Sequence, residues 1–193
     1  MCYKMDMKNG VKQNARIKKT RQKILDAGSH LLFTDGWKEV THLRLAAETG
    51  VSRGTIYRHW PNTDDLILEI FENCDPSPYQ AERVGELRTD LIAELRLLQA
   101  NLQNSKLGDI ILNAAQYANE NIKYRKIHQN LHRIIKGPFI EIVCQHNFGK
   151  NCDDIGRKLI APILYAQLIE NKCLGSEVDE IVDEFIMKHK AAP

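Results

Sequence analysis

The sequence predicts an all-α fold, and three observations carry that prediction. Apolar residues recur at steps of three and four along most of the chain, while the alternation of a half-buried strand is absent. Two short periodic segments meet at Gly50, as two helices joined across a tight turn would. The stretch Gly50–Phe71, GVSRGTIYRHWPNTDDLILEIF, then gathers Arg53, Thr55, Tyr57, Arg58 and His59 on a short helix, with no acid from Val51 to Asn62.

Taken in order, residues 1–14 are lysine-rich and are expected to form a flexible basic arm. A first helix starts near Ala15, carries Ile24, Gly28, Leu31 and Leu32 on one face, and stops at Asp35-Gly36, where glycine suits the left-handed position after a helix. Thr41 caps a second helix, His42–Thr49, which buries Leu45 and Ala46. Ser52 caps a third, which with Val51 buries Ile56 and Trp60 and ends before Pro61. Asn62 or Thr63 caps a fourth, with Asp64 and Asp65 in its first turn and Leu66, Ile67, Ile70 and Phe71 facing inward. The chain thus divides into a helix-turn-helix head at 15–61, a connecting helix at 62–75, and a body at 76–193 that begins in the linker Asp75-Pro76-Ser77-Pro78.

In the body, a long helix Tyr79–Asn104 carries the stripe Val84, Leu87, Leu91, Leu95, Leu98 and Leu102. Leu107–Asn119 is next, then Ile122–His146, which Gly137-Pro138 kinks or divides. Asp154–Glu170 and Ser176–His189 close the chain. Their apolar stripes suggest a homodimer built as a four-helix interface, with Ile160, Leu164, Leu168, Val178, Ile181, Val182 and Phe185 as its expected residues. One stripe must also face its own core, which leaves the side each residue takes open.

The 193 residues are 43% hydrophobic and 27% charged, a globular composition. No apolar run is long enough for a membrane helix, and no signal-peptide core opens the chain, so a cytoplasmic protein is expected. Five cysteines, odd in number and without a CxxC pair, fit a reducing compartment. The net charge of +2 hides an asymmetry: Met1–Trp60 holds 12 Lys+Arg against 5 Asp+Glu, and the remainder 15 against 20. A polyanion partner for the first third follows.

Double-stranded DNA fits that partner. A major groove accepts one helix between phosphate walls, which an acid-free face suits. Arg53 and Thr55 are placed to reach base edges, Tyr57 and His59 to hydrogen-bond phosphates, and Arg58 lies on the same outer surface. Gly54 leaves no side chain between helix and DNA. Lys18, Lys19 and Arg21 are expected to add a salt-dependent term from the minor groove.

Gly50-Val51-Ser52-Arg53-Gly54-Thr55-Ile56-Tyr57-Arg58-His59-Trp60, preceded by Thr41, Leu45-Ala46-Ala47 and a helix ending in Asp35-Gly36-Trp37, resembles the DNA-binding domain of the TetR family of transcriptional regulators. The specific resemblance runs from Arg16 to Phe71. It implies a dimeric regulator of about nine helices, three in a DNA-binding head and the rest in a ligand-binding and dimerisation body. It also implies Thr41 at a phosphate, Arg53 and Thr55 toward bases, and Tyr57 and His59 at the backbone, on a two-fold symmetric operator. Two positions depart from the family: Thr63 stands where many members have a lysine, and His42, expected among the DNA-binding residues, stands where an apolar residue is usual.

A ligand pocket is expected where Asn113, Gln116, Tyr117, His128, His132 and Tyr165 interrupt the apolar faces of the body. With uncharged histidines all six are neutral, which predicts an apolar or aromatic ligand. His128 and His132 have a metal-chelating i, i+4 spacing, but Cys144, His146 and Cys152 close no compact cluster, so neither metal nor cofactor is expected. No GxSxG, phosphate-cradling glycine loop or HExxH occurs, and catalysis is rejected. The expected function is a ligand-released transcriptional repressor. The alternative is a DNA-binding protein that controls no promoter, such as a nucleoid-associated or cell-division factor on the same fold.

Overall fold

A computed structural model describes residues 6–73, 80–146 and 154–190, with side chains from 15 to 189 within those ranges. These residues form nine α-helices and no strand: α1 (Asp6–Thr34), α2 (His42–Thr49), α3 (Arg53–His59), α4 (Thr63–Asn73), α5 (Leu87–Asn104), α6 (Leu107–Tyr117), α7 (Ile122–Gln145), α8 (Ala161–Leu168) and α9 (Glu177–Lys190). A 3₁₀ turn, Trp37–Glu39, follows α1, and a π-helical turn, Ile155–Ile160, runs into α8. The linker at 75–78 lies outside the described residues.

The head follows its local signals closely. Gly36 takes φ 100° after α1, and the N–H groups of Asp35 and Gly36 both donate to the Leu31 carbonyl, at 2.9 and 3.0 Å. The Thr41 hydroxyl accepts from Arg44 N–H at 3.1 Å, and Gly50 ends α2 at φ 67°. The Ser52 hydroxyl caps α3 by accepting from Thr55 N–H at 3.2 Å. The Asn62 side chain accepts from Asp64 N–H at 2.8 Å at the start of α4. Ile24, Leu32, Leu45, Ile56, Trp60, Ile70 and Phe71 form the head's core. At Gly28 α1 and α4 pack so closely that an added Cβ would stand 2.7 Å from the Ile70 methyl.

Helix α1 differs from expectation at its start: it begins at Asp6, inside the stretch read as a flexible arm. Residues 6–14 contain no proline and several good helix formers, so nothing local stops the helix there.

The body departs further. Helix α5 starts at Leu87 rather than Tyr79, and Val84, counted as the first residue of its stripe, is 69% exposed. The acids of α5 explain this. The Glu86 carboxylate caps the helix by accepting from Arg88 and Thr89 N–H at 3.2 and 2.7 Å. Asp90 accepts from the N–H groups of Val84 and Gly85, and Glu94 from Ala81 N–H and the Arg83 guanidinium, all within 2.9–3.1 Å. The segment before α5 therefore satisfies its backbone on buried carboxylates instead of on itself. Burial pushes the Glu94 carboxyl above its ordinary pKa, against the opposing pull of Ala81 N–H and Arg83.

Helix α7 runs unbroken through Pro138. Its length packs on α4, α5, α6 and the π-turn, and that packing outweighs the roughly 3 kcal/mol an interior proline costs. Helix α9 packs on α5, with Arg88 bound to Asp183 at 2.6 Å and Arg96 to Asp179 at 2.9 Å. That packing seals Val178, Val182 and Phe185, and Ile160 is buried as well. Four of the seven residues expected at a dimer interface thus belong to the chain's own core. Leu164, Leu168 and Ile181 are half-buried, and Tyr165 on α8, Ile169 just after it and Met187 on α9 are 58%, 66% and 70% exposed.

Head and body share one continuous core. Trp37 stacks on Tyr124 of α7 with centroids 5.5 Å apart, and the Tyr124 hydroxyl donates to Asp64 of α4 at 3.2 Å. Burial first, and then the Asp64 charge, raise the Tyr124 pKa. Lys123 binds Asp65 at 2.7 Å, and Lys106 N–H donates to the Phe33 carbonyl at 3.0 Å.

Candidate nucleic-acid interface and ligand cleft

Helix α3 is anchored by two side chains. Ile56 and Trp60 are buried, which turns Arg53, Gly54, Tyr57 and Arg58 to solvent and leaves Thr55 and His59 half-buried. The Thr55 hydroxyl stands 2.8 Å from that of Ser52, so the capping group also orients it. An added Cβ at Gly54 would meet nothing within 4 Å, which keeps the surface open at that point. Thr41 is exposed beside this face while its hydroxyl caps α2. Nearby acids are drawn off by Arg44, which binds Asp35 at 2.9 Å, Glu48 at 3.3 Å and Glu39 at 3.6 Å.

His42, expected among the DNA-binding residues, also makes a contact within the head. Its Nε2 lies 2.6 Å from the Trp60 carbonyl oxygen; a carbonyl can only accept, so Nε2 carries the proton and donates. The imidazole also lies 5.6 Å from the Tyr57 ring. His42 therefore ties α2 to the C-terminal end of α3, which accounts for a histidine at a usually apolar position.

Arg21 is reassigned. Its guanidinium makes a two-pronged ion pair with Glu69 of α4, one prong at 2.6 Å, and sits 4.7 Å over the Trp60 ring. Trp60 Nε1–H donates to the same carboxylate at 2.8 Å. Arg21, Glu69 and Trp60 thus join α1, α3 and α4, and Arg21 is not a spare arm cation. Lys18 and Lys19 remain exposed. The α1 residues that meet the α3 face are Arg16, Ile17 and Thr20, which with Thr55, Arg58 and His59 line a groove of about 390 Å³. Sequence periodicity missed them because the groove forms across two helices.

The body holds a cleft of about 410 Å³ between α6, α7 and the π-turn leading into α8. Ile111, Leu131, Ile135, Ile160 and Leu164 make its apolar floor, and His128, His132, Lys136 and Arg157 its polar edge. Of the six expected pocket residues only the two histidines line it. Asn113 turns back to donate to the Asp109 carbonyl at 2.7 Å, Gln116 and Tyr165 are exposed, and Tyr117 packs edge-on against Tyr124. Lys136 extends the i, i+4 series of His128 and His132 and was legible in principle. Arg157 was not, because it arrives from another element. Two cations at the edge replace the neutral lining expected. No group of three or more metal-ligating side chains occurs among the described residues, and no helix there is long and apolar enough to cross a membrane.

Residues 24–70 match the model of the bacterial regulatory proteins of the tetR family. The chain is 30% identical over 135 residues to the HTH-type transcriptional regulator AcrR of Shigella flexneri, covering 65% of this chain and 62% of that protein. It is 36% identical over 72 residues to the nucleoid occlusion factor SlmA of Mannheimia succiniciproducens, covering 34% and 33%. The DNA-binding transcriptional repressor TetR of Mycobacteroides abscessus is 33% identical over 81 residues, covering 42% and 43%. The matched spans thus run from about a third to under two thirds of these relatives' lengths. The crystal structure of the TetR family transcription regulator SCO0332 shares the fold, with a TM-score of 0.68 over 91% of this chain and 100% of that one at 20% identity.

Proposed function

We infer that this chain, which belongs to the tetR family of bacterial regulatory proteins, is a sequence-specific DNA-binding transcriptional regulator, a repressor released by a small ligand. The observation that carries this is the outer face of α3. Arg53, Thr55, Tyr57, Arg58 and His59 stand on a helix fixed at both ends, with no acid among them. Arg53, exposed in the first turn, enters the groove and reads base edges, while Tyr57, His59 and exposed Thr41 fix the register on phosphates. Lys18, Lys19 and Arg16 add sequence-independent attraction.

A homodimer presents two such heads to a two-fold symmetric site. Its interface is built on the apolar groups left outside the core, Tyr165 and Ile169 with the half-buried Leu164, Leu168 and Ile181. For release, a ligand must bind the DNA-incompetent arrangement more tightly than the competent one. The physical route is short. Helix α7 lines the cleft and grips the first turn of α4 through Tyr124–Asp64 and Lys123–Asp65, and Glu69 of α4 holds Trp60 at the end of α3.

Recovery of genomic DNA bound to the purified protein tests the function. A few two-fold symmetric sites upstream of genes are expected, with Arg53→Ala costing about 1–3 kcal/mol and relaxing base preference. An Arg53→Ala protein with unchanged affinity and preference would remove α3 as the reading helix. The likeness to a nucleoid occlusion factor favours one second reading, a DNA-binding factor that controls no promoter. Many sites dispersed over the chromosome would establish it instead.

A further inference from the structure

We propose that the groove between α1 and α3 seats one sugar–phosphate unit of the DNA backbone, with Arg16 and Arg58 clamping the same phosphate from two helices. Helix α1 contributes Arg16, Ile17 and Thr20, at i, i+1 and i+4. Helix α3 contributes Thr55, Arg58 and His59, at i, i+3 and i+4, so each helix offers one face to the groove. No acid lines it. Neither arginine is committed elsewhere: among the described residues Arg16 and Arg58 make no ion pair and no side-chain hydrogen bond. An anion in the groove meets two unpaired guanidiniums, the His59 ring and the hydroxyls of Thr20 and Thr55, donors suited to phosphate oxygens.

The groove also selects what carries that anion. Ile17 is 43% exposed, an apolar side chain set among polar ones. A free phosphate ion gains nothing from Ile17, whereas a deoxyribose covers it. The volume of about 390 Å³ admits a phosphate together with its sugar. The walls are fixed before DNA arrives. Lys23 of α1 donates to the Thr49 carbonyl at the end of α2 at 2.6 Å, and the Arg21–Glu69–Trp60 link joins α1 to the end of α3. Little ordering is then left to oppose binding. Arg53 and Tyr57, at i and i+4 of α3, lie outside the lining, so the helix reads with one face and is braced on another. Arg16, Ile17 and Thr20 all precede residue 24, where the match to the family model begins, so the α1 wall rests on the chain's own geometry.

This clamp rests on the DNA-binding function proposed above. The test is a scan of single methylphosphonate substitutions, each removing one backbone charge, across a half-site recovered from genomic DNA. The unaltered full chain should lose roughly ten-fold or more in affinity at a few positions, the size expected when a charge-assisted hydrogen bond is removed. At one of these positions, and only there, Arg16→Ala and Arg58→Ala should each shrink the loss to a few-fold, and the double variant should remove most of the remainder. Lys18→Ala, at a cation of α1 outside the groove, should weaken binding yet keep the full loss at that position. Ile17→Ser should weaken binding to the unmodified site with the methylphosphonate pattern unchanged; affinity equal to that of the unaltered chain would overturn the sugar's place in the groove. Arg16 and Arg58 are exposed, thermal melts check that each variant is folded, and the scan on the unaltered chain needs no variant. If the two arginines shrink the loss at different phosphates, or at none, the shared clamp is overturned. A chain that binds no recovered duplex removes the proposed function and the clamp with it. Intact base preference with no phosphate answering to both arginines removes the clamp alone.

Discussion

The head and the body treat their polar residues in opposite ways. In the head, the candidate contacts point outward from a small core, and the polar groups that face inward, Glu69 and His42, serve to hold α3 in place. In the body, the polar groups that shape the structure are inside. Asp90 and Glu94 are buried under the segment before α5, and the cleft draws its charges from two elements that meet only on folding. A site that projects from one helix can be read from that helix. A site that several helices enclose cannot.

That contrast predicts the largest mutational difference at the last helix. Phe185 is 2% exposed in the chain's own core, so Phe185→Asp should unfold the body, at a cost of roughly 5 kcal/mol for an unpaired buried charge. Ile169→Asp should leave urea stability of the monomer within about 0.5 kcal/mol and yield a monomer by sedimentation. Monomers that stay folded with Phe185→Asp, or a dimer unmoved by Ile169→Asp, would return the interface to the stripe read from sequence.

Next in size is Trp60→Ala in the head. It removes a buried indole, the donor to Glu69 and the ring beneath Arg21 together, and should cost about 3–5 kcal/mol in denaturant unfolding. DNA affinity should fall far more than with any exposed α3 substitution, because the orientation of the whole helix goes with it. A loss below 1 kcal/mol would mean that Ile56 alone anchors α3.

The legible and illegible parts of the sequence divide along the same line. The bounds of α2, the caps at Thr41 and Ser52, the turns at Gly36 and Gly50, and the inward Ile56 and Trp60 all follow from short-range rules, since each depends on residues within a turn or two. The start of α5 was misplaced because Val84 fits the apolar period, while the acids that stop the helix bind backbone several residues away. Arg21 was read as a free cation because its partner, Glu69, lies 48 residues on. The sides of the dimer stripe stay open in the sequence because periodicity shows that a face is buried and not against what. His128 and His132 were found and Arg157 missed for the reason that holds throughout: two sat on one helix, and the third came from elsewhere.

A smaller effect isolates the backbone of the turn. Gly50 has φ 67°, and an added Cβ would meet nothing within 4 Å, so Gly50→Ala meets conformational strain without a clash. About 1 kcal/mol of destabilisation is expected, with α3's contacts unchanged once folded. Urea unfolding measures the first and DNA affinity the second. A several-fold loss of affinity at full folding would show that the turn also sets the angle of α3.

The smallest effect sharpens the head at Thr63, one of its two departures from the family pattern. Thr63 begins α4, where unpaired N–H groups and the helix dipole favour an anion. A phosphate there would find no cation on the first turn of α4 itself, and the next two residues, Asp64 and Asp65, are acids. Both are engaged by the body: Asp64 accepts from the Tyr124 hydroxyl and Asp65 binds Lys123 at 2.7 Å. Their charge is thus directed toward α7, which lets a cation at 63 serve the DNA. Thr63→Lys should then steepen the slope of log affinity against log salt by about 0.9, the release of one counterion, and tighten binding several-fold at low salt. The gain should shrink as salt rises and should not alter which bases are preferred, because a phosphate contact carries no sequence. Binding titrations at four salt concentrations on a recovered site measure both quantities. An unchanged slope would place Thr63 off the DNA; a weaker affinity would mean that the new lysine pairs with Asp64 or Asp65 and loosens α4 from α7, which makes that seam the more sensitive part of the head.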